Sequence, residues 1–363
     1  MAELKLDSAS FTMGDLETKY KLFFAPSFEI AVDGSKIPDA VAISEIRVEN
    51  SLQGVADSFS FRVTNAFDIV KRDFLWDNIF SLGKAIDIKL GYVDKLTPVF
   101  QGYITSVTAE FTEDGTPSLI VRGMDASYLM MKGAKSKSWA KKKYSDIVTE
   151  IAQAHGLKVQ VDATTMQYET VSQNQIDDYH FIQYLADLVN YDFFLVGKTL
   201  HFRKPLTEMT PVVTLDWGTT LRNLSIDMNI AEQITGVTVR GWDNKELKVI
   251  ESKATTVTKL GSNSKTGKDI MKAQGDYIEH VYTNIDSVSE AKSHAEALFN
   301  KRSMKLISGQ GESVGIPEIR SGRYLKLDGV GKRLNQPYYI IAVTHILDEG
   351  GYVTRFQLGG NAV

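Results

Sequence analysis

One phrase of the sequence occurs twice, and it restricts the folds open to the chain. YITSVTAEFTEDG runs from Tyr103 to Gly115, and YIIAVTHILDEGG runs from Tyr339 to Gly351, at a constant offset of 236 residues. Six aligned positions are identical, and a glycine matches beyond the phrase: Tyr103/Tyr339, Ile104/Ile340, Val107/Val343, Thr108/Thr344, Glu113/Glu349, Gly115/Gly351 and then Gly123/Gly359. A strand that ends at a glycine predicts a hairpin. We therefore expect two similar hairpins, far apart in the sequence.

A second pair of segments extends the repeat. IRVENSLQGVADSFSFRVTN aligns without a gap with LSIDMNIAEQITGVTVRGWD, at an offset of 178 residues. The apolar positions keep one face of the pleat, which a one-residue slip would reverse. The aligned positions are Ile46/Leu224, Val48/Ile226, Phe59/Val237, Phe61/Val239 and Arg62/Arg240. IKLG at 88–91 then parallels LKLDG at 325–329 at an offset of 237, which predicts an insertion of roughly sixty residues between Trp242 and Gly322.

The segment between the copies has a different pattern. SDIVTEIAQAHG has the apolar spacing of a helix, with Ser145 as the candidate cap. DDYHFIQYLADLVN predicts a second helix, capped by Asp177 or Asp178. YDFFLVGKTLHFRK predicts a hairpin that turns at Gly197. In the second copy, SVSEAKSHAEALFNKR predicts a helix with a capping box that begins at Ser287.

These patterns predict a mainly β fold with an α/β insert. Two similar antiparallel β-barrel-like domains, related by internal duplication, would flank a small α/β domain. The predicted boundaries are an N-terminal extension at 1–27, a first barrel at 28–135, the α/β insert at 136–210, and a second barrel at 211–363 with an insertion at about 244–305.

Composition and charge exclude several classes of protein. A chain of 363 residues with 43% hydrophobic content suits two or three globular domains. The net charge of −4 argues against a nucleic-acid coat protein, and we expect no specific nucleic-acid recognition. The absence of cysteine excludes disulfides, thiolate metal sites and cysteine nucleophiles. No apolar run approaches about eighteen residues and no signal peptide begins the chain, so we expect no integral membrane association.

Two short motifs resemble catalytic sites but fail their structural requirements. GSNSKTGKD has five residues between its glycines where a phosphate loop needs four, and Asp269 stands where that loop needs a hydroxyl. GESVG matches the nucleophile elbow around Ser313, and Asp328 and His345 follow in hydrolase order. The proline and glycine after the motif prevent the helix that an elbow requires. We therefore predict no catalytic residue.

No metal or cofactor site is predicted either. The six histidines are His155, His180, His201, His280, His294 and His345. No two of them have the spacing of paired metal ligands. Asp177 and Asp178 are interpreted as helix caps rather than as a glycosidase pair.

Two surface features leave alternatives open. The basic cluster contains Trp139 and the lysines Lys132, Lys135, Lys137, Lys141, Lys142 and Lys143. We interpret it as a linker, with a contact to nucleic acid or an acidic protein as the alternative. Tyr179, Tyr184 and Tyr191 are candidate stacking surfaces for a glycan. The alternative functions are therefore a glycan- or peptidoglycan-binding module of a tail or surface assembly, and a serine hydrolase that uses Ser313.

Three stretches together resemble the phage late control protein D family, the baseplate hub proteins of contractile tails. They are QIDDYHFIQYLADLVNYDFFLVGKTLHFRKP, GESVGIPEIRSGRYLKLDGVG and the first barrel ending in FQGYITSVTAEFTEDGTPSLIVRGMD. The hub portion of type VI secretion spike proteins is similar too. The three stretches cover most of the chain from about 28 to 360.

This resemblance implies a structural protein rather than an enzyme. It implies a homotrimeric ring in which two barrels per chain give six similar units, so that a hexameric tail tube meets a trimeric spike. The expected partners are the tube protein, a spike protein on a separate chain, and other baseplate or tape-measure proteins. The expected location is the tail baseplate of a virion or of an extracellular phage-tail-like particle, after synthesis in the bacterial cytoplasm.

Overall fold

The computed structural model describes residues 4–6, 9–113, 115–243, 246–261, 265–285 and 287–363. The first part of the chain contains two helices and nine strands. They are α1 (Met13–Lys19), β1 (Pro26–Val32), β2 (Ser35–Lys36), β3 (Ile43–Ser51), β4 (Ser58–Val63), β5 (Phe67–Asp68), β6 (Asp73–Phe74), β7 (Ala85–Tyr92), β8 (Lys95–Glu110), β9 (Ser118–Met124) and α2 (Ser127–Met130). A 3₁₀ turn at Lys21–Phe23 follows α1. Thr12 caps α1, and Leu16 and Tyr20 carry the N-terminal segment into the main core.

The middle of the chain alternates helices and strands. Its elements are β10 (Lys135–Lys142), α3 (Tyr144–Ala154), β11 (Lys158–Val161), β12 (Tyr168–Ile176), α4 (Asp178–Val189), β13 (Asp192–Val196) and β14 (Thr199–Arg203). Asp177 caps α4 as predicted, and its carboxylate accepts from the His180 N–H at 2.9 Å. Lys143, rather than Ser145, occupies the cap position of α3. Strands β13 and β14 form the predicted hairpin, and Gly197 turns it with a φ of 58°.

Strands return in the last part of the chain. The elements are β15 (Pro211–Asp216), β16 (Leu221–Met228), β17 (Gly236–Asp243), β18 (Lys248–Ala254), α5 (Gly267–Lys272), β19 (Ile278–Tyr282), α6 (Val288–Ser303), β20 (Ile307–Val314), β21 (Tyr324–Asp328), β22 (Pro337–Asp348) and β23 (Gly351–Gly360). Ser287 caps α6, because its side chain accepts from the Glu290 N–H at 3.1 Å. A 3₁₀ turn at Met304–Leu306 leads from α6 into β20.

One thirteen-stranded sheet dominates the fold, so the predicted mainly β class with an α/β insert is confirmed. Its strand order is β16-β20-β23-β22-β3-β4-β9-β8-β7-β1-β2, and β21 and β15 extend from β22. Both halves of the chain meet in this sheet through the antiparallel pairing of β22 with β3. A single apolar core follows it, with buried side chains from both halves, among them Ile46, Phe61, Ile340 and Phe356.

The segment predicted to be a basic linker is strand β10, so that prediction is wrong. The strand pairs with β12 from Lys135↔Ile176 to Lys142↔Tyr168. Trp139 faces inward, is 5% exposed, and stacks on Phe181 with ring centroids 5.5 Å apart. The other positions of β10 are solvent-exposed and mostly lysine, so composition concealed a strand with one buried side chain.

A smaller sheet, β18-β17-β19, packs against α6 and has its own core. This corrects one predicted alignment, because β17 does not occupy the place of β4. Strand β20 does so: it pairs with β23 and β16, as β4 pairs with β9 and β3. Phe59 and Phe61 of β4 have Gly309 and Gly311 as their positional counterparts in β20.

The large residues stand on opposite strands in the two ladders. Phe61 opposes Val121 in the first ladder, whereas Gly311 opposes Phe356 in the second. Phe59 opposes Gly123, whereas Gly309 opposes Leu358. Each pair keeps one large and one smaller member, so the space between the sheet layers stays filled. A glycine-containing strand does not show the apolar alternation by which β17 was chosen.

The repeated phrase lies on corresponding hairpins, β8–β9 and β22–β23. The register of β8 shifts between Ile104 and Ser106, and that of β22 shifts between Ile340 and Ala342, which are the aligned positions. Strands β3 and β16 also shift at aligned positions, between Ile43 and Glu45 and between Leu221 and Asn223. An irregularity of this kind is a specific feature of a strand pair, so its presence at matched positions supports the correspondence of the two hairpins.

Two finer matches from the sequence are displaced. Ile104 opposes Gly123, whereas Ile340 opposes Leu358, so Gly359 is not the counterpart of Gly123. Tyr103 opposes Ala85 and Tyr339 opposes Tyr324, which moves the alignment of IKLG with LKLDG by two residues. The shift of two residues in the second match preserves side-chain direction. The glycine match is displaced by one residue, so Leu358 is the counterpart of Gly123.

Candidate functional site

The residues of the apparent nucleophile elbow do not form a catalytic triad. Ser313 is fully buried in β20, and its hydroxyl donates to the carbonyl oxygens of Val314 at 2.9 Å and Thr354 at 3.4 Å. Asp328 accepts from the Asn335 side chain at 2.6 Å. Strand β20 ends at Val314, directly after the serine, and the next regular element is strand β21 instead of a helix. The arrangement lacks the strand–turn–helix that exposes a nucleophile.

His345 is a buried structural histidine. Its Nε2 lies 3.1 Å from the Ile319 carbonyl oxygen, and its Nδ1 lies 2.9 Å from the Tyr352 hydroxyl and 3.2 Å from Thr354 Oγ1. Burial lowers the pKa of the imidazole to about 3, with a further contribution from Arg320. A neutral ring with both nitrogens in hydrogen bonds holds the strand pair together and cannot act as a base toward Ser313.

The polar stretch that suggested a phosphate loop serves as a helix start where it is described. Positions 262–264 of GSNSKTGKD lie outside the described residues. Thr266 caps α5 and Asp269 completes its capping box, with the Asp269 carboxylate 2.9 Å from the Thr266 N–H. Lys268 donates to the Thr255 carbonyl oxygen. The carboxylate of Asp269, which argued against a phosphate-binding loop, therefore stabilises the start of α5.

Carboxylates neutralise much of the basic cluster on β10. Lys137 Nζ lies 2.7 Å from Glu150 Oε1, and Lys142 reaches the same carboxylate at 4.0 Å. Lys135 donates to Asp178, which also lies 2.7 Å from His155 Nε2. These pairs tie β10 to helices α3 and α4 and leave less free positive charge than the sequence suggests.

The three tyrosines proposed for glycan stacking do not form a common surface. Tyr179 is 3% exposed and packs on Phe193, with ring centroids 5.0 Å apart. Tyr191 is half-buried against Phe202, and its hydroxyl donates to a backbone carbonyl oxygen at 3.3 Å. Tyr184 alone of the three is exposed, at 54%. A row of stacking platforms is therefore absent at these positions.

A cavity of about 570 Å³ lies where the α/β insert, α6 and the main sheet meet. Asp192 is its most unusual group. The carboxylate accepts a hydrogen bond from the Tyr339 hydroxyl and lies 3.9 Å from Arg203 Nε. Burial raises the pKa of Asp192 to about 6, while Tyr339 and Arg203 oppose the rise. Lys204, Lys301 and other polar side chains also line this junction.

Arg320 connects three parts of the chain in a buried position. Its guanidinium donates to the Asp57 carboxylate, to the Val99 carbonyl oxygen at 3.2 Å and to the Leu195 carbonyl oxygen at 3.3 Å. Burial raises the pKa of Asp57 to about 7, and the charge of Arg320 opposes that rise. Sequence reasoning missed this group, because no motif marks an arginine whose partners lie in distant segments.

Strands β16 and β8 of the main sheet each have an edge that no described strand covers. Among the described strands, β16 is the last at one end of the sheet and pairs with β20 alone, apart from an isolated bridge between Leu221 and Trp217. Strand β8 pairs with β7 up to Tyr103, and in the described part of the chain no strand pairs with that edge from Ser106 to Glu110. Exposed apolar side chains accompany both edges: Met228 is 47% exposed and Phe111 is 65% exposed. Open edges with apolar side chains are typical sites of strand pairing with another chain.

No helix among the described residues has the length and apolar character needed to span a bilayer.

Solved structures of tail proteins share this fold. The 43 kDa tail protein of prophage MuSo2 from Shewanella oneidensis is 13% identical with a TM-score of 0.69, over 92% of this chain and 98% of that one. The tail protein from Neisseria meningitidis MC58 is 14% identical with a TM-score of 0.68, over 93% and 97%. The E. coli c3393 protein is 12% identical with a TM-score of 0.60, over 92% and 77%.

The c3393 protein is described as a component of the type VI secretion system with structural similarity to the T4 bacteriophage tail proteins gp27 and gp5. The resemblance to tail hub proteins drawn from the sequence is thus confirmed at the level of the fold. The sequence matches no curated protein. A family model described as the Alg8 N-terminal domain matches residues 25–349, which is most of the chain. The chain therefore belongs to the Alg8 N-terminal domain family.

Proposed function

We propose that this protein is the structural baseplate hub of a contractile phage tail or a phage-tail-like injection particle. The observation that carries the proposal is the fold, which tail proteins share over more than nine tenths of this chain. The buried states of Ser313 and His345 favour a structural role over catalysis. In this proposal the chain works through its surfaces, which join other proteins of the particle.

The proposed assembly is a ring of three chains between the hexameric tail tube and a trimeric spike. The matched hairpins β8–β9 and β22–β23 support an internal duplication, which would give two similar units per chain and six in the ring. Such a ring offers near-sixfold surface to the tube and threefold surface to the spike. The proposed partners are the tube protein, a separate spike protein and neighbouring baseplate or tape-measure proteins.

The division of the chain into two hub domains, the α/β insert and the second insertion belongs to the same proposal. The separate apolar cores at 126–202 and 237–299 support it. The α/β insert and α6 would project from the hub and carry contacts that differ between machines. The proposed location is the tail baseplate, after synthesis in the bacterial cytoplasm.

Co-purification tests this proposal. The tagged full chain is expressed with the tube and spike proteins encoded beside it, and the complex is isolated through the tag. We expect both partners to be retained at stoichiometric levels. Recovery of the folded chain without either partner would contradict the hub assignment. A variant with the exposed Tyr282 replaced by serine, away from the main sheet, is a matched control and should retain both.

A further inference from the structure

The pairing of β22 with β3 has no counterpart between the corresponding strands elsewhere in the described part of the chain. Within the chain, β22 pairs with β3 from Ala342↔Ser51 to Leu347↔Ile46. The matched register shifts relate β22 to β8 at the offset of 236, and β3 to β16 at the offset of 178. The counterparts of this internal pair are therefore β8 and β16, and each of them has an edge that no described strand covers.

We propose that β16 of one copy pairs antiparallel with β8 of the next copy, as β3 pairs with β22 inside each chain. This inference rests on the proposed ring and names its contact. Transferring the internal register by the two offsets gives six facing pairs: Ser106↔Asn229, Val107↔Met228, Thr108↔Asp227, Ala109↔Ile226, Glu110↔Ser225 and Phe111↔Leu224.

The side chains of this transferred ladder are complementary. On the face that continues the core, Val107, Ala109 and Phe111 meet Met228, Ile226 and Leu224, so each apolar side chain faces another. On the opposite face, Ser106, Thr108 and Glu110 meet Asn229, Asp227 and Ser225, so polar faces polar and no like charges oppose. The offsets account for the apolar character of Leu224 and Ile226, which were aligned with Ile46 and Val48. They do not account for that of Ala109 and Met228, whose counterparts are His345 and Asn50.

The difference in burial between β3 and β16 also supports the proposed pairing. Ile46 and Val48 of β3 are fully buried under β22. Their counterparts Leu224 and Ile226 are only partly buried, and Met228 is 47% exposed. A second copy seated on β16 would complete their burial, as β22 does for β3.

The backbone of β16 is also oriented for pairing. The Asn229 N–H donates to the Leu306 carbonyl oxygen, on the β20 side. Because N–H groups alternate along a strand, those of Leu224, Ile226 and Met228 point to the open side. The Leu52 N–H points in the same way to Ile341 of β22 inside the chain. In the transferred ladder, Thr108↔Asp227 is consequently a non-hydrogen-bonded pair.

The contact is heterologous, since it joins two different edges, and a heterologous contact closes into a ring or continues as a filament. In the proposed trimer, three internal β3–β22 pairings would alternate with three β16–β8 pairings between copies. Six similar joints would then surround the axis, which agrees with two similar units in each chain.

Cysteine cross-linking tests the register, because the chain contains no cysteine. Thr108 and Asp227 are both exposed, so a Thr108→Cys/Asp227→Cys double variant should fold. Facing non-hydrogen-bonded positions are about 4.5 Å apart between Cα atoms, which suits a disulfide. The matched control, Thr108→Cys/Ser225→Cys, lies two residues out of register, beyond the reach of a disulfide.

After oxidation, we expect most of the Asp227→Cys double variant to run as covalent dimer and trimer on non-reducing gels, and the control to remain monomeric. The mass of both variants before oxidation is measured by light scattering. A trimeric mass without cross-linking would overturn the ladder and leave the hub proposal standing. A monomeric mass at all concentrations would overturn the ring and the ladder together.

A substitution at the same edge provides a second test. Met228→Lys places a charge on the apolar face, opposite Val107, and we expect it to convert the trimer to monomer. Val249→Lys, at a 58% exposed position of β18, is the control and should leave the mass unchanged. A Met228→Lys protein that remains fully trimeric would contradict the proposed contact.

Discussion

Arg320 links both halves of the chain with the α/β insert, so its replacement by methionine tests whether that buried contact holds the three parts together. The change removes the hydrogen bonds to Asp57, Val99 and Leu195 and leaves the Asp57 carboxylate without its cation. Breaking a buried ion pair in this way costs about 3–5 kcal/mol. At about 2 °C for each kcal/mol in a chain of this size, the first thermal transition should fall by roughly 6 °C or more.

The size of this effect should depend on pH. Removing Arg320 takes away the charge that lowers the pKa of Asp57, so that pKa rises further above its value in the unfolded chain. When the pKa of a carboxyl group is raised in the folded state, the free energy of unfolding falls as pH rises from the unfolded-state pKa to the folded-state pKa. We therefore expect Arg320→Met to lower the transition more at pH 8 than at pH 5.

Scanning calorimetry of the full chain measures both effects. Arg355→Met is the matched control, because Arg355 pairs with Glu312 at 2.8 Å but is 58% exposed. Exposed pairs contribute about 0–1 kcal/mol, so the control should shift the transition by no more than about 2 °C. Equal shifts for the two arginine variants would show that the buried contact does not hold the three parts together. An Arg320→Met shift that does not change with pH would show that Arg320 does not control the ionisation of Asp57.

Two further substitutions have defined outcomes. Burial raises the pKa of Asp192 to about 6, so ionisation of this carboxyl lowers the free energy of unfolding as pH rises from about 4 to about 6. The decrease amounts to at most about 3 kcal/mol, and Asp192→Asn should remove it. Urea unfolding at a series of pH values measures this effect. An unchanged slope of stability against pH would contradict it. Gly123→Ala places a Cβ 2.0 Å from the Tyr103 carbonyl oxygen and should cost about 1–3 kcal/mol or more, whereas Gly14→Ala, whose Cβ meets nothing nearer than 3.9 Å, should be neutral. Equal stability of the two alanine variants would show that the β8–β9 ladder is not closely packed.

The local elements were largely predictable from the sequence. Asp177, Ser287 and Gly197 mark helix starts and a turn through chemistry that acts within a few residues. The repeated phrase located both long hairpins for the same reason, because its alternation and its glycine are local signals. The class of fold followed from the order of these elements.

The longer-range features were not predictable in the same way. Strand β20 has glycines where β4 has phenylalanines, and the large residue of each facing pair stands on the neighbouring strand. Because β20 lacks apolar alternation, the sequence pattern selected β17 instead. Trp139 lies in a strand whose exposed lysines resemble a linker. Arg320 and Asp57 contact each other across 263 residues, and Asp192 accepts from Tyr339, 147 residues away, and no local pattern records such contacts.

The proposed hub consists of three copies of this chain in a ring that receives a spike. Native mass spectrometry of the purified chain, alone and with its spike protein, tests it most directly. We expect a species of three times the 40.4 kDa of one chain, and the addition of three spike chains to that species. A single chain in both samples, or an assembly whose number of chains is not a multiple of three, would contradict it.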